Sequence, residues 1–565
     1  MGIWGGLKKL RNRLPGGAGR GGGRPPGQTG KRAAQSAVKS AAMSSKHQGP
    51  PRPPEKLTGN LDRDLQMIKG TLGRSDDIII RVLNVAGRKD ARVAVISVDG
   101  MTDRAAMDRD ILESLMYRAR DDKIANVPKE DIPKAIMDYI LQLSEVMELE
   151  SVKDIFGDIL SGNAALIFDG YSKAVSVNLK GWQQRSVQQP ISEPAVRGPR
   201  DGFVENIRTN TALIRRRIND PNLIIRSLKI GSLNPTHIAL VYIDGVADSN
   251  IVSMLEEKIK GIKADQVFGT GSLEELLTKG SMSLFPKALS TERPDRVAGG
   301  LLQGQISIVI DNSPFVLVVP AVLTTFFQAS DDYYHRSPIA TYIRIIRLVG
   351  WALGLFLPGL YVALAAVNPD VIPLGMAMAI SASREGIPYP AFVEVLIMDI
   401  AMELLSEAST RLPTYIGASA TVVGGLIIGT AAAQARIISN IMIIVVAATA
   451  IGIFVTPNYE LALAWRISKF LFTFFAAVFG LYGLSAAFIF LLLFLVAQDS
   501  FGVPYLTPLG PFKPADFIRD VFIRAPWWSI ISRRPRTFLA QTEEVQARNR
   551  PGAAGAPEAG RKGKS

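Results

Sequence analysis

Four stretches of this chain carry no charged residue over a length that could cross a bilayer: 348–367, 412–435, 437–459 and 470–498. About twenty apolar residues, rising 1.5 Å each, cover the ~30 Å hydrocarbon core of a membrane. Charged side chains are costly in that core, so their exclusion is typical of membrane helices. The sequence therefore predicts an all-α transmembrane helix bundle within 339–500, with four spans, or six segments if 371–411 contributes.

A repeat of 145 residues precedes this bundle, since Arg81, Asp99, Gly100 and Asp103 each recur 145 positions later. Both copies have the pattern of two strands and a turn that leads into a helix, and the repeated aspartates are spaced like turn residues and helix caps. Each copy is followed by a second apolar hairpin. We therefore predict a soluble α/β region of two tandem related subdomains, at 56–200 and 201–338.

The second copy contains a stretch, 306–328, that is apolar enough to suggest a further span. Asp311 lies within it, and an aspartate at the centre of a bilayer costs ~3 kcal/mol. Its repeat partner at 164–177 has the pattern of a soluble hairpin, with Asp169-Gly170 at the turn. Residues 305–319 are therefore predicted to form a hairpin outside the membrane.

The net charge of +13 is concentrated at the two ends of the chain. Residues 1–54 hold eleven Lys and Arg and no acid, and 532–565 hold eight basic and three acidic residues, which leaves about −3 between them. We predict disordered basic tails at 1–55 and 532–565 that contact anionic lipids and not nucleic acid. Between the last span and the second tail, 501–531 is predicted to lie at the membrane interface.

The chain has no cysteine and three histidines. Disulfides, thiolate catalysis and cysteine-based zinc or iron–sulfur sites are therefore excluded. The histidines are too scattered for a metal cluster, and no catalytic spacing is present. A G-x-G-x-x-G match from Gly17 to Gly22 follows no strand and precedes no helix, so we interpret it as an accident of composition and not as a nucleotide site. We expect no enzymatic activity, no cofactor and no metal site.

The span 412–435 is the most polar of the four, and it has a small residue at every fourth position, which is typical of close helix packing. It also fits a helix that lines a pore in an oligomer, and the two readings are compatible. The candidate pore-lining residues are Thr414, Ser419, Thr421, Val422, Val423, Gly425, Thr430 and Gln434.

A helix is predicted over about 390–411, with Pro390 in its first turn. It places Asp399, Glu403 and Glu407 on one stripe, because residues four apart share a face. One interpretation is the solvated face of an interfacial helix. The other is a cation vestibule, since rings of acids around an oligomer axis concentrate cations.

Several blocks of sequence, taken in order over roughly 60–530, resemble the A subunit of GerA-type spore germinant receptors. These blocks are Phe285-Pro286 with Glu292-Arg293-Pro294-Asp295, Asp311-Asn312-Ser313-Pro314-Phe315, Asp331-Asp332-Tyr333-Tyr334, the run 383–392 from Ser-Arg-Glu-Gly to Pro-Ala-Phe, and Gly424-Gly425-Leu426-Ile427-Ile428-Gly429.

The resemblance implies a multi-pass protein of the inner membrane of a bacterial endospore. It also implies a B subunit, which is transporter-like and binds the nutrient, and a C subunit that is a lipoprotein. The A subunits are expected to form a homo-oligomer, a pentamer, that acts as a nutrient-gated cation channel. With no export signal at its start and arginines after its last span, the chain is expected to keep both termini in the cytoplasm.

Two other functions remain open on the sequence alone. A secondary transporter would explain the helix breaks at Pro358-Gly359 and Ile387-Pro388, although no inverted repeat accompanies them. A related sporulation membrane protein of the same architecture, or a membrane-anchored scaffold or enzyme with its activity in 60–338, would explain the large soluble region.

Overall fold

The computed structural model describes residues 56–117, 119, 127–129, 131–139, 145–181, 189–190, 192–278, 283–412, 424–425, 427–510, 521 and 523–526. The predicted tails, and most of the predicted interfacial segment at 501–531, lie outside these residues. We call residues 56–327 the sheet region and residues 337–496 the helical region.

The first half of the sheet region has helices before, between and after its strands. Its elements are α1 (Leu61–Thr71), β1 (Ile78–Asn84), β2 (Arg92–Val98), α2 (Arg104–Ala106, Met107–Leu112 and Glu113–Met116 in succession), α3 (Ile132–Tyr139), β3 (Val146–Leu149), α4 (Val152–Leu160), β4 (Ala164–Phe168) and β5 (Ala174–Val177).

The second half repeats this arrangement. Its elements are α5 (Ile207–Arg217), β6 (Leu223–Ile230), β7 (Thr236–Ile243), α6 (Ser249–Lys260), α7 (Thr270–Leu277), β8 (Leu289–Thr291), α8 (Pro294–Leu302), β9 (Ile306–Ile310), β10 (Val316–Val319) and α9 (Leu323–Phe327).

The two halves form two antiparallel sheets with the same strand order, β1-β2-β4-β5-β3 and β6-β7-β9-β10-β8. Their register also repeats, because Ile78 pairs with Val98 and Leu223, 145 positions later, pairs with Ile243. The predicted tandem α/β subdomains are confirmed. The predicted hairpin at 305–319 is confirmed as well, as β9 and β10.

Each central strand is apolar on both faces, because helices cover both sides of its sheet. Along β2, Val93 and Val95 pack on the side of α2 and α3. Ala94 and Ile96, which alternate with them, pack on the side of α1 and α4. Because successive side chains point to opposite faces of the sheet, one strand contributes to two separate hydrophobic cores.

The repeated aspartates after β2 and β7 cap helices, as their spacing predicts. The Asp103 carboxylate accepts hydrogen bonds from the backbone N–H groups of Ala105 and Ala106. The Asp248 carboxylate accepts one from the N–H of Asn250. Each cap satisfies backbone donors that the first helical turn leaves without partners.

A buried ion pair joins the two halves of the sheet region. The Arg215 guanidinium on α5 donates to both carboxylate oxygens of Asp77, with its Nε 3.0 Å from Oδ2 and its Nη2 2.9 Å from Oδ1. Ser75 Oγ accepts from the same Arg215 and from the backbone N–H of Ile225 on β6. The segment before β1 is therefore fixed to the edge of the second sheet.

The helical region contains α10 (Ser337–Val362, continuing as a wider turn over Ala363–Val367), α11 (Leu374–Ser383), α12 (Ala391–Arg411), α13 (helical over 424–425 and 427–434), α14 (Asn440–Phe454) and α15 (Tyr459–Val496), followed by β11 (Asp499–Ser500) and β12 (Val503–Pro504).

Among the described residues, two helices are long and apolar enough to cross a membrane, Ser337–Val367 and Tyr459–Val496. They cover the predicted spans 348–367 and 470–498. The span predicted at 437–459 is a shorter helix, α14, of 15 residues. Much of the span predicted at 412–435 lies outside the described residues.

The α15 helix reverses direction at Gly480, so 470–498 is not one straight span as the hydropathy pattern predicts. The ring centroid of Phe285 lies 4.9 Å from that of Trp465 and 6.1 Å from that of Phe494. In a straight helix those two residues would lie about 43 Å apart. Gly480 has a φ of 62°, which favours glycine, and Asn368 Oδ1 accepts from the N–H of Leu481 at 3.0 Å.

The α10 and α14 helices run antiparallel with their backbones in close contact. A Cβ atom on Gly452 would lie 2.4 Å from the carbonyl oxygen of Gly350, so glycine is required there. At the opposite end of α10, the hydroxyl groups of Tyr361 and Ser439 are 3.2 Å apart.

The first half of α15 runs parallel to α10. The rings of Trp351 and Trp465 are 5.3 Å apart, and those of Phe356 and Phe472 are 5.2 Å apart. We call the end of the helical region that contacts the sheet region at Phe285 the proximal end, and the end at Asn368 the distal end.

Candidate functional site

The predicted acidic stripe lies on α12, which extends over Ala391–Arg411 with Pro390 at its N-cap. The stripe packs beside the first half of α15, which runs in the opposite direction. Asp399 and Glu403 therefore face Lys469 and Arg466, two cations with nearly the same spacing.

Asp399 is the innermost acid of the stripe and is 1% exposed. Its Oδ1 atom lies 3.1 Å from the Nζ atom of Lys469, whose side chain is 4% exposed. Its Oδ2 atom is buried and has no hydrogen-bond partner among the described residues. A buried carboxylate needs a compensating cation, and Lys469 supplies it.

Glu403 lies one turn closer to the proximal end and contacts two cations. Its Oε1 atom lies 3.2 Å from Lys469 Nζ, and its Oε2 atom accepts a hydrogen bond from Arg466. Glu407 is more exposed and pairs with Arg411 on its own helix at 2.6 Å. Each acid of the predicted vestibule therefore has a basic partner, and the cluster as a whole is neutral.

Two spaces that share lining residues lie beside this cluster. A cavity of ≈ 20 Å³ is lined by polar groups that include Asp399, Glu403 and Lys469, with Thr449 of α14 on its opposite side. That volume is enough for one water molecule. A groove of ≈ 430 Å³ between α12 and α15 shares Glu403 and Arg466 with the cavity and opens towards Glu407.

The distal end of α12 is held by a second buried acid. Glu394 is fully buried, and its Oε1 atom accepts from Arg384 Nε at 2.9 Å. Its Oε2 atom accepts from the backbone N–H of Ser439 at 3.1 Å. This network fixes the start of α12 against the start of α14.

Of the candidate pore-lining residues, the structure describes Gly425, Thr430 and Gln434 on α13. A Cβ atom on Gly425 would lie 3.7 Å from the Leu405 side chain of α12, so this glycine faces a neighbouring helix. Thr430 and Gln434 are exposed. The other candidates, Thr414, Ser419, Thr421, Val422 and Val423, lie outside the described residues.

Sequence reasoning missed a buried cluster where the two regions meet. Burial raises the pKa of the Glu274 carboxyl, whose Oε1 atom accepts from the backbone N–H groups of Lys287 and Ala288. Burial, and then the charges of Glu274 and Glu460, raise the pKa of the Tyr505 phenol. Nothing in the spacing of these residues predicts that they meet.

A cleft of ≈ 220 Å³ lies between the two halves of the sheet region. Asp99 lines it and pairs with Arg104 at 2.6 Å and with Arg208 at 2.8 Å, and Arg216 lines it as well. Three guanidinium groups and one carboxylate therefore line this cleft. Sequence reasoning assigned Asp99 to a turn and did not predict the cleft.

The described residues contain no group of three or more His, Asp or Glu side chains arranged to hold a metal ion. The architecture is that of a two-sheet α/β region joined to apolar helices, two of them long and apolar enough to cross a membrane, with a charged cluster between two helices.

The family model described as Bacillus/Clostridium GerA spore germination protein matches residues 66–537. The chain is 36% identical over 496 residues to spore germination protein KA of Bacillus subtilis (strain 168), covering 88% of this chain and 90% of that protein. It is 35% identical over 494 residues to spore germination protein GerLA of Bacillus cereus, covering 87% and 99%.

A third relative, the uncharacterized membrane protein YfkQ of Bacillus subtilis (strain 168), is 42% identical over 398 residues, covering 70% of this chain and 77% of that protein. A crystal structure of the N-terminal domain of the A subunit of the Bacillus megaterium spore germinant receptor GerK3 is 30% identical. It covers 48% of this chain and 99% of that domain, with a TM-score of 0.39.

The chain belongs to the GerA family of spore germination proteins. The resemblance predicted from the sequence blocks is confirmed.

Proposed function

We propose that this chain is the A subunit of a nutrient-germinant receptor in the inner membrane of a bacterial endospore. In this proposal several copies, five in the expected assembly, surround a pore that conducts monovalent cations when nutrient is bound. A B subunit that binds nutrient and a C subunit that is a lipoprotein complete the receptor.

The observation that carries the proposal is the exposure of Thr430 and Gln434 on α13. Gly429, on the same helix, lies against Ile443 of the apolar α14 helix, so this polar face belongs to the membrane-embedded part. Polar side chains in that part face water or a neighbouring helix, because contact with lipid hydrocarbon is unfavourable for polar groups. A water-filled pore between copies of the chain gives both residues such a surface.

The contacts of the helical region support a multi-pass arrangement with six passages. The α10 helix runs from the proximal to the distal end, and α12 and α14 each run from the distal to the proximal end. The first half of α15 runs to the distal end, and its second half runs back to the proximal end. The described part of α13 runs from beside Leu405 of α12 towards Ile443, near the distal start of α14, and completes the set. An even number of passages keeps both termini on the proximal side. The arginines after the last span indicate that this side is cytoplasmic, because positive residues next to membrane helices stay in the cytoplasm.

The cation vestibule on α12 stays a prediction. The ion pairs limit when each of its acids could attract a cation. Asp399 and Glu403 can attract a cation once Lys469 has moved away, because Arg466 neutralises only one of the two acids. Glu407 is exposed and lies at the mouth of the groove. We place the outer cation-attracting charge at Glu407 and the inner one at the Asp399 and Glu403 pair.

The chain contains no cysteine, which allows a direct test with single cysteines. Variants with cysteine at Thr430 or Gln434 would be reconstituted as the full receptor in liposomes loaded with potassium. A positively charged thiosulfonate reagent should reduce nutrient-triggered potassium efflux from both variants by several-fold, because a bound cation repels permeating cations.

Ile444 provides the matched control, since it is 69% exposed on an apolar face of α14 that we assign to lipid. The same reagent should leave efflux from the Ile444→Cys variant unchanged. Equal effects at all three positions, or no effect at Thr430 and Gln434, would remove α13 from the pore.

The break in α15 at Gly480 favours one second candidate, a secondary transporter. Discontinuous helices form the substrate sites of many transporters. Nutrient uptake driven by an ion gradient, measured in the same liposomes, would support that function in place of a channel.

A further inference from the structure

The ammonium group of Lys469 occupies a site made of carboxylate oxygens. Its Nζ atom lies 3.1 Å from Asp399 Oδ1 and 3.2 Å from Glu403 Oε1. The ring centroid of Phe470 lies 5.2 Å away. A compact charge held by two carboxylates near an aromatic ring is the environment that a small monovalent cation also prefers.

One oxygen of this site is not used by the lysine. Asp399 Oδ2 is buried and has no hydrogen-bond partner among the described residues. The Asp399 residue is one of those that line the ≈ 20 Å³ cavity. A buried carboxylate oxygen normally has a partner. A water molecule or a small cation in the cavity would supply one.

A groove lies next to the site, and few hydrogen bonds join the two helices that form it. The groove of ≈ 430 Å³ reaches Glu403 and Arg466, which also line the cavity. In the part of the chain that the structure describes, the hydrogen bonds joining α12 to α15 are those of Arg466 and Lys469. Withdrawal of the long lysine side chain would therefore free Asp399 Oδ1 and Glu403 Oε1, while Arg466 stays paired with Glu403 Oε2. The two acids and Arg466 would then carry one net negative charge, which one monovalent cation neutralises.

We propose that Asp399 and Glu403 form a binding site for a monovalent metal cation, and that the Lys469 ammonium fills this site as a tethered substitute in the resting state. The inference deepens the proposed function, because it names the ion and the side chain that excludes it. When α12 and α15 separate, Lys469 leaves and a free cation takes its place.

The test measures binding of radioactive Rb⁺ to the detergent-solubilised full-length protein and to its Lys469→Met variant. The variant should bind about one Rb⁺ per chain more than the wild type, displaced by K⁺ and not by N-methylglucamine. Lys469→Arg should bind as the wild type does, because it restores the tethered cation. An Asp399→Asn, Lys469→Met double variant should lose the added binding.

A second measurement protects the test against misfolding of the variant. In Lys469→Ala the missing ammonium leaves room for a small amine, so Rb⁺ and ethylammonium should both raise the thermal midpoint of this variant and not that of the wild type. If neither variant binds added Rb⁺ and neither ion raises the midpoint, the proposal is wrong. These readouts need no conduction, so they stand apart from the efflux test of the pore.

Discussion

The Nζ atom of Lys469 lies 3.1 Å from the Oδ1 atom of Asp399, and both side chains are almost fully buried between two helices of the helical region. Removing one partner of such a pair leaves a buried charge without compensation. Removing both does not, because two neutral side chains can fill the same volume.

Asp399→Ala should therefore lower the free energy of unfolding by about 3–5 kcal/mol. The thermal midpoint of the detergent-solubilised protein measures this loss. The Asp399→Leu, Lys469→Met double variant should recover most of it. Glu407→Gln is the matched control, since its pair with Arg411 is exposed and should contribute about 0.5 kcal/mol or less. A double variant as unstable as the single one would contradict the pairing.

Among the ion pairs that join the two halves of the sheet region, one buried pair and one exposed pair can be compared directly. Asp77→Ala leaves Arg215 buried and unpaired, and should lower the free energy of unfolding by about 3–5 kcal/mol. Arg74→Ala removes the exposed pair with Asp244 and should cost under about 1 kcal/mol. Chemical denaturation followed by tryptophan fluorescence measures both, and equal losses would contradict the buried clamp.

Asp295 predicts a pH dependence of stability. Burial alone would raise the pKa of its carboxyl, but hydrogen bonds from Arg293 and Tyr334 outweigh burial and hold that pKa below the ordinary value of 3.8. A group whose pKa is lower in the folded state stabilises the fold above its unfolded pKa, and this contribution is lost as the pH falls through the folded pKa.

The thermal midpoint of the wild type should therefore fall more steeply below about pH 4 than that of Asp295→Asn, which has no carboxylate to protonate. Asp295→Asn should also be less stable near neutral pH, where the wild-type ion pair is complete. Asp154→Asn, at an exposed position on α4, should reproduce the wild-type slope. Parallel curves for the wild type and Asp295→Asn would rule out the assigned role.

Gly480→Ala should disrupt the reversal of α15. Its φ of 62° is unfavourable for alanine, and a Cβ atom there would lie 2.0 Å from Asn368 Oδ1. We expect a loss of at least about 2 kcal/mol in the free energy of unfolding, measured in detergent. Gly299→Ala on α8 is the control, because nothing lies within 4 Å of its Cβ and the helix should gain about 0.5–1 kcal/mol. Similar midpoints for the two variants would contradict a strained turn.

The sheet region could be predicted from the sequence because its signals are local and duplicated. The recurrence of Arg81 and Asp99 145 positions later revealed the repeat. Because the repeat partner of the segment around Asp311 has the pattern of a soluble hairpin, a membrane span there was excluded. Hydropathy could not reveal the reversal at Gly480, because both halves of α15 are equally apolar and one glycine is a weak signal.

The sequence predicted that the acidic stripe faces solvent or a vestibule. The basic residues that pair with it lie sixty to seventy positions further along the chain. Arg466 and Lys469, three positions apart, match Glu403 and Asp399, four apart, on an antiparallel helix. That complementary spacing was present in the sequence. The meeting of Glu274, Glu460 and Tyr505 depends on tertiary packing between three elements, and no local pattern encodes it.

The turn at Gly480 returns the chain to the end from which it started, and the residues that follow attach to the second sheet. Ser500 Oγ accepts from the backbone N–H of Ala321 and donates to the carbonyl of Lys287. Both halves of α15, before and after Gly480, are thus attached to the sheet region at their proximal ends. A tilt of the second sheet would displace both halves of α15 together. Lys469 lies on the first half and would move with them.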